Sequence, residues 1–472
     1  MMTPEEKWAY VHASMPKSLV GITFQFDFIR YFENSDFQTC ISLISKQTNT
    51  KSNKSDASRM NGMIQVYIDA NGCEETRLDA QRLKNLICGS DYVCTDEVSL
   101  ADIIVFYACG HLQVNENESV RIIKRLMSLK KSSGRLVVGG CLPKINPEAI
   151  RSIYEGCMVG PEEWDFFCDL FNQSKERIHN VYANELCTLS KLTSPNTSSR
   201  SSLSWLNTLI NEFGRARVRS EKNWYIKIIS GCRENCTYCS DRLAFKCCES
   251  QPIETIISQF ELGLKSGFKN FNLVGRDLGS YGYDLGSDLP TLLNKMLENH
   301  TAENYKLRLY NISPRSLVDF YPKLKEPFSS GKISQIGNHV QSGSCRILGL
   351  MGRRYTTRES LKIVKEIKEK FPDISIDTSI IVGFPTETER DFDKSMDLLN
   401  SMLFDHFDLY TYEERPNLPS LRLKGVVPYQ VKKMRLNRLR RKLILNNINK
   451  NVKRIKIGSL IQSLIELSQY WL

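Results

Sequence analysis

Short apolar runs alternate with stretches of helical periodicity along most of the chain, and this alternation limits the fold more than any other feature. Strand-like runs begin near Trp224, Asn270, Tyr305, Ile333, Ile374 and His406, and each is followed by a helical stretch. Successive strand–helix units put their strands parallel in one sheet with the helices packed outside. Six such units, rather than eight, predict an open or partial β/α barrel. The same unit recurs upstream, where MIQVYID (63–69) precedes a helix from Arg77 to Ile87. ADIIVFYA (101–108) precedes a helix from about Asn117 to Leu129, and RLVVGG (135–140) is a third strand. Runs that are apolar throughout belong to strands covered on both faces. The expected fold class is therefore α/β: an N-terminal parallel βαβ domain followed by an open, partial β/α barrel.

Polar stretches divide the chain. Residues 46–60 (KQTNTKSNKSDASRM) close a head, 1–60, that carries no motif, and a Ser/Thr-rich segment opens a second linker at 188–215. The expected domains are then 61–187 and 216–450, with a tail at 451–472. A composition of 41% hydrophobic and 25% charged residues in 472 excludes collagen-like, fully disordered and disulfide-stapled classes. No uncharged apolar run approaches the ~20 residues that a spanning helix needs. The start, MMTPEEKWAY, lacks the basic-then-apolar profile of a secretory leader, so a cytoplasmic location without a membrane partner is expected. The net charge of +11 has one address: thirteen Lys or Arg and no Asp or Glu lie between Arg422 and Lys456. Such a segment suits a polyanion such as RNA. Val431, Met434, Leu439 and Leu443 at helical spacing predict a helix over 429–450 that packs by that stripe and leaves a basic face open.

Fifteen cysteines in a reducing compartment point to metal, iron–sulfur or catalytic use rather than disulfides. The sharpest group is GCRENCTYC (231–239), a CxxxCxxC just after the first barrel strand. A zinc ribbon asks for a second cysteine pair at matching spacing, and a ferredoxin for C-x2-C-x2-C ending in Cys-Pro; neither is present. Three thiolates in one short loop suit three corners of a four-iron cluster with the fourth iron open. The loop resembles the signature of radical S-adenosylmethionine enzymes, including Tyr238 before the last cysteine. That resemblance implies that Cys232, Cys236 and Cys239 hold the cluster and that S-adenosylmethionine chelates the open iron, its reductive cleavage yielding a 5′-deoxyadenosyl radical.

A second group is spread along the chain. Cys73, Cys109 and Cys141 each follow one of the three upstream strands, with Gly72, Gly110 and Gly140 adjoining. The carboxyl ends of parallel strands share one edge, where ligands bind, so three thiols there suit a second cluster. Buried free cysteines acting as small apolar residues are the alternative. The two triads together resemble the radical methylthiotransferase family, which modifies the adenosine beside the tRNA anticodon or an aspartate of a ribosomal protein. NGCEETRLDA, ADIIVFYACGHLQVNENES and VVGGCLPKI carry the resemblance upstream; FNLVGRDLGSYGYD, HVQSGSCRILGLMGRRYT, DTSIIVGFPTETERDF and YEERPNLPSLRL continue it in the family's order.

The family implies two 4Fe–4S clusters, S-adenosylmethionine, conversion of C–H into C–S–CH3, and an electron donor such as flavodoxin or ferredoxin. It also implies that Tyr238, Gly275, Gln341, Ser342, Gly343, Gly383 and Arg353 lie around S-adenosylmethionine, at the carboxyl ends of barrel strands; each glycine reads equally as a tight turn. Arg353 and Arg354 read either as partners of a carboxylate or phosphate or as surface charges. There are departures from the family pattern. Glu74, Glu75 and Thr76 stand where Asn is usual after the first cysteine, Tyr107 and Ala108 where Asn-Thr precedes the second, Lys246 and Cys247 in place of Arg-Gly, and Cys345 in place of an acid. The family closes with a small β-barrel, the TRAM domain; here only IKIGSLIQSLIEL (455–467) resembles its first strand, so 451–472 is expected to be a vestigial tail. By family base rate the substrate is tRNA. The alternatives are a peptide or small metabolite and, in another class, a non-catalytic iron–sulfur or zinc RNA-binding protein.

Overall fold

The computed structural model describes residues 63–188, 192, 222–298, 300 and 303–453. The head, most of the linker and the tail beyond 453 lie outside the described residues. Upstream, five parallel strands form one sheet in the order β2-β1-β3-β4-β5: β1 Ile64–Ala70, β2 Tyr92–Cys94, β3 Ile103–Tyr107, β4 Arg135–Gly139 and β5 Cys157–Met158. Three of these were expected; β2 and β5, at three and two residues, are too short to show periodicity. Side chains alternate between two cores. Val66, Ile68, Ala70, Val105 and Val137 face one side, and Tyr67, Ile104, Phe106, Leu136 and Val138 face the other. The helix Glu74–Ile87 begins directly after Cys73, a turn earlier than its apolar pattern suggests.

Downstream, β6 Asn223–Lys227 leads into a two-stranded antiparallel ribbon of β7 Ile229–Ser230 and β8 Glu249–Ser250, which was not expected. Then follow β9 Asn270–Val274, β10 Lys306–Leu309, β11 Ile333–Gly337, β12 Ser375–Val382 and β13 His406–Thr411. The sheet order is β13-β12-β11-β10-β9-β6, parallel throughout: six neighbours in sequence order, an open β/α barrel. Ile226, Leu273, Leu307, Ile336 and Ile380 turn outward into a core completed by the helices Ile253–Lys265, Leu289–Glu298, Pro314–Ser329, Thr357–Lys370 and Glu389–Asn400. The opposite face is polar, with Lys227, Asn272, Arg308, Gln335 and Asp377 on it.

Both sheets belong to one compact unit that begins at Ile64. The helix Glu74–Ile87 meets the polar barrel face: Leu78 packs with Val274 and, at the edge, Tyr225 and Tyr310. Lys227 Nζ donates to Asp79 at 2.9 Å. Arg415, its side chain 3% exposed, crosses from the barrel to donate to Gly110 O (2.7 Å) and Glu116 Oε2 (2.5 Å).

The helix Tyr429–Lys453 forms where expected, with Leu439 and Leu443 of its stripe on the barrel core, but the rest of the inward face differs. Met434 is 49% exposed, while Lys432, Arg435 and Leu439 are buried. Lys432 Nζ donates to Tyr412 O (3.0 Å) and Arg435 to Glu387 Oε2 (2.7 Å), while Arg438 pairs with Glu389. The inward stripe is partly ionic because two acidic residues preceding and opening the helix Glu389–Asn400 need counter-charges. Among the described residues no helix is long and apolar enough to cross a membrane.

Candidate functional site

Register brings the first triad together. Ala70 pairs with Tyr107 and Tyr107 with Gly139, so β1, β3 and β4 end level and Cys73, Cys109 and Cys141 leave the sheet along one edge. Gly72, at φ +113°, lets the first loop close: a Cβ there would lie 2.7 Å from Cys109 Cβ and 3.0 Å from its Sγ. Asn71 Oδ1 accepts from Cys109 N (2.9 Å), and Ser119 Oγ donates to Cys109 O (2.8 Å). Asn115 Nδ2 points at Cys109 Sγ, 3.3 Å away. Burial pushes the Cys141 thiol well above its ordinary pKa; Arg276 opposes this, while Asp241, Cys73 and Cys109 add to the rise. Cys73 is raised too, by burial first, again opposed by Arg276, with Glu75 and Cys109 adding to the rise.

The second triad is local. Thr237 N donates to Met351 O (2.9 Å) and Thr237 Oγ1 to Leu350 O (2.8 Å), pinning the loop to the end of the helix Cys345–Leu350. Arg233 N donates to Ser280 Oγ (3.2 Å) and Glu234 N to Cys232 Sγ (3.4 Å). Burial, Asp277 and the two other thiols hold Cys232 protonated to high pH, and burial with Asp241 and Cys236 does so for Cys239. Such thiols ionise only when a metal replaces the lost hydration, as a cluster's irons do. Every described cysteine is unpaired. Among the described residues no group of His, Cys, Asp or Glu is arranged around a single ion. Each triad offers three thiols, the donor set that suits a four-iron cluster with one iron left open.

Around the second loop, Arg353 donates to Tyr238 Oη (2.9 Å) and leaves its own Nε buried without a partner. Tyr238 meets Phe384 edge to face. Gln341 sits at φ 72°, a strained conformation for a non-glycine residue, with its Oε1 buried and unpartnered. These orphaned groups suit a polar ligand. Ser342 is committed internally, accepting from Ser344 N (3.2 Å). The three glycines sit against neighbouring chain: a Cβ would meet Ile229 at Gly275, the Lys394 carbonyl at Gly343 and the Lys432 side chain at Gly383. Arg354 is exposed. Cys247 is exposed beside Gly231, where a Cβ would meet the Cys247 carbonyl.

Between the triads lie side chains that sequence reasoning did not single out: Arg276, Asp241 and His111. Arg276 stands 3.4 Å from Glu75 Oε1 and 3.7 Å from Asp241 Oδ1. His111 Nδ1 approaches Asp241 at 3.4 Å. Burial pushes the Asp241 carboxyl up, but Arg276 and His111 more than offset it and hold the group well below the usual carboxylate range. The only sequence signal was indirect: Arg276 follows NLVG at a strand end, and Asp241 lies two residues past the last loop cysteine.

Comparison with known proteins follows the same division. Residues 226–399 match the Radical SAM superfamily. Residues 65–160 match a family described as Uncharacterized protein family UPF0004. A probable threonylcarbamoyladenosine tRNA methylthiotransferase of Pyrococcus abyssi is 28% identical over 78% of this chain and 82% of its own. The ribosomal protein uS12 methylthiotransferase RimO of Clostridium tetani is 26% identical over 84% of each. The tRNA-2-methylthio-N(6)-dimethylallyladenosine synthase of Bacillus subtilis is 27% identical over 85% of this chain and 75% of its own. In fold, the chain resembles the radical S-adenosylmethionine methyltransferase TsrM of Kitasatospora setae, with a TM-score of 0.53 at 12% identity over 76% and 77% of the two chains. Two matched regions in this order, relatives of one reaction type along most of the chain, and two cysteine triads carry one conclusion: this chain belongs to the radical S-adenosylmethionine methylthiotransferase family, enzymes of two 4Fe–4S clusters and S-adenosylmethionine.

Proposed function

We propose that Cys232, Cys236 and Cys239 hold the cluster that binds S-adenosylmethionine, that Cys73, Cys109 and Cys141 hold the second cluster, and that the substrate is a tRNA adenosine near the anticodon. The reading rests above all on the two thiol triads, each pinned by its own hydrogen bonds and neither sharing a cysteine with the other. When bound, the clusters and S-adenosylmethionine supply the radical, sulfur and methyl group that turn C–H into C–S–CH3. The chain's own residues position and shield. Gly72 lets the Cys73 loop close on Cys109, Thr237 fixes the radical loop, and Gln341 Oε1 with Arg353 Nε offers an acceptor and a donor to the polar end of S-adenosylmethionine.

The tRNA assignment draws on the relatives that act on tRNA and on the basic segment. Lys432, Arg435 and Arg438 are engaged with the barrel, so the charge available to a phosphate backbone moves to the exposed Arg422, Lys424 and Lys433. Replacing those three with Ser should leave iron content unchanged and flatten the salt dependence of tRNA binding by roughly 0.7–0.9 log units per lost phosphate contact. The decisive test is mass spectrometry of nucleosides and of ribosomal proteins from cells with and without this gene. Loss of a methylthioadenosine is expected. Unchanged nucleosides with a lighter ribosomal protein would move the substrate to a peptide, the reading that the uS12 relative favours.

A further inference from the structure

Arg276 lies where the two triads come nearest to a common neighbour. It leaves the carboxyl end of β9 in the barrel, yet its guanidinium reaches the cysteine edge of the upstream sheet, with Nη2 3.6 Å from Cys141 Sγ. It is largely enclosed, its side chain 12% exposed, and Phe245 covers it at 5.1 Å. On one side stands Glu75, two residues beyond Cys73 and 7% exposed; on the other stands Asp241, two residues beyond Cys239 and 14% exposed. The contacts are loose for a buried ion cluster. Arg276 Nε, Glu75 Oε2 and Asp241 Oδ1 are all buried without a hydrogen-bond partner. Beside these two carboxylates the guanidinium keeps its Nη2 aimed at the Cys141 sulfur. Three thiolates and their cluster on the Cys73, Cys109 and Cys141 edge would therefore meet a positive charge already fixed in place.

We propose that Arg276 is a positioning residue of the second cluster: it ties that site to the radical loop through Asp241 and places a fixed positive charge against the Cys141 sulfur, which favours the cluster's reduced state. Glu75 acts in the opposite sense beside Cys73. The inference rests on the assignment of Cys73, Cys109 and Cys141 as cluster ligands. Its physical basis is that reduction adds an electron, and cluster potentials follow the net charge around them and hydrogen bonds to the sulfurs.

The test is an EPR-monitored reductive titration of the reconstituted full chain carrying C232A/C236A/C239A, so that the second cluster is observed alone. Arg276→Gln should shift its midpoint to more negative potential, Arg276→Lys should keep most of the original value, and Glu75→Gln should shift it the other way. In the reciprocal C73A/C109A/C141A chain, the radical-loop cluster should respond less to Arg276→Gln. Opposite shifts from the two charge removals are the signature that simple loosening of the site would not give. An unchanged midpoint in Arg276→Gln, or shifts of the same sign in Arg276→Gln and Glu75→Gln, would overturn the proposal. If Arg276→Gln fails to take up iron, uptake by Arg276→Lys sustains the proposal and failure of both overturns it. If the C232A/C236A/C239A chain with Arg276 intact holds no iron, the cysteine assignment itself has failed and the proposal falls with it.

Discussion

Cys232, Cys236 and Cys239 sit in a single loop, whereas Cys73, Cys109 and Cys141 are collected from the ends of three different strands. The loop carries its own geometry, pinned by Thr237 to the end of one helix. The other site is a product of strand register: it exists because Ala70, Tyr107 and Gly139 lie level. A one-residue slip in either pairing would carry a cysteine off the edge. The contrast teaches that two sites of like chemistry in one chain have unlike dependence on tertiary structure, and damage at a distance should reach the second site first.

The largest effect tests the local site. Ala at Cys232, Cys236 and Cys239 together should remove about half of the iron from reconstituted protein, about eight atoms when two four-iron clusters are present. Formation of 5′-deoxyadenosine should fall below detection, because only this loop is assigned to S-adenosylmethionine. Retention of that product would break the contrast at its root.

Next comes the joint between barrel and upstream sheet. Arg415→Met leaves Glu116 buried opposite an apolar side chain and removes the bond to Gly110 O, next to Cys109. Loss of one partner of a buried pair costs ~3–5 kcal/mol, readable by chemical denaturation of the full chain. Iron at the second triad should drop while the radical loop keeps its own, still tied by Ser420 N to Thr237 O at 3.0 Å. Equal loss from both sites would show that they stand or fall together.

Smaller still is Asn71→Ala, which strands the buried Cys109 N–H at a cost of ~1–3 kcal/mol. It should lower iron occupancy at the second triad and leave cleavage of S-adenosylmethionine intact, because the Asn71 side chain bonds to Ser119 and Cys109.

How much of this was visible in the sequence follows from the same division. All six barrel strands begin within a residue or so of where their apolar runs predict, since long buried strands write continuous patterns. β2, β5 and the β7–β8 ribbon write none. The helix over 429–453 misled in part because its inward face holds Lys432 and Arg435, which a hydrophobic pattern counts as outward; only the positions in space of Glu387 and Glu389 reveal Arg435 as a buried counter-charge, and only that of the Tyr412 carbonyl accounts for Lys432. Cysteines announce themselves by type, and their positions after strand ends follow from the strand pattern. Arg276 and Asp241 do not, because their roles arise where two sheets meet, and Asn71 does not, because its bond to Cys109 N joins the loops after two different strands; no local spacing records either meeting.

Two clusters held by two independently built thiol triads would leave their signature in the iron content. The most direct measurement is iron per chain, with 5′-deoxyadenosine formation, in reconstituted C73A/C109A/C141A protein set beside the unaltered chain. Iron should fall from about eight to about four atoms with S-adenosylmethionine cleavage preserved. Iron unchanged by the three substitutions would contradict it.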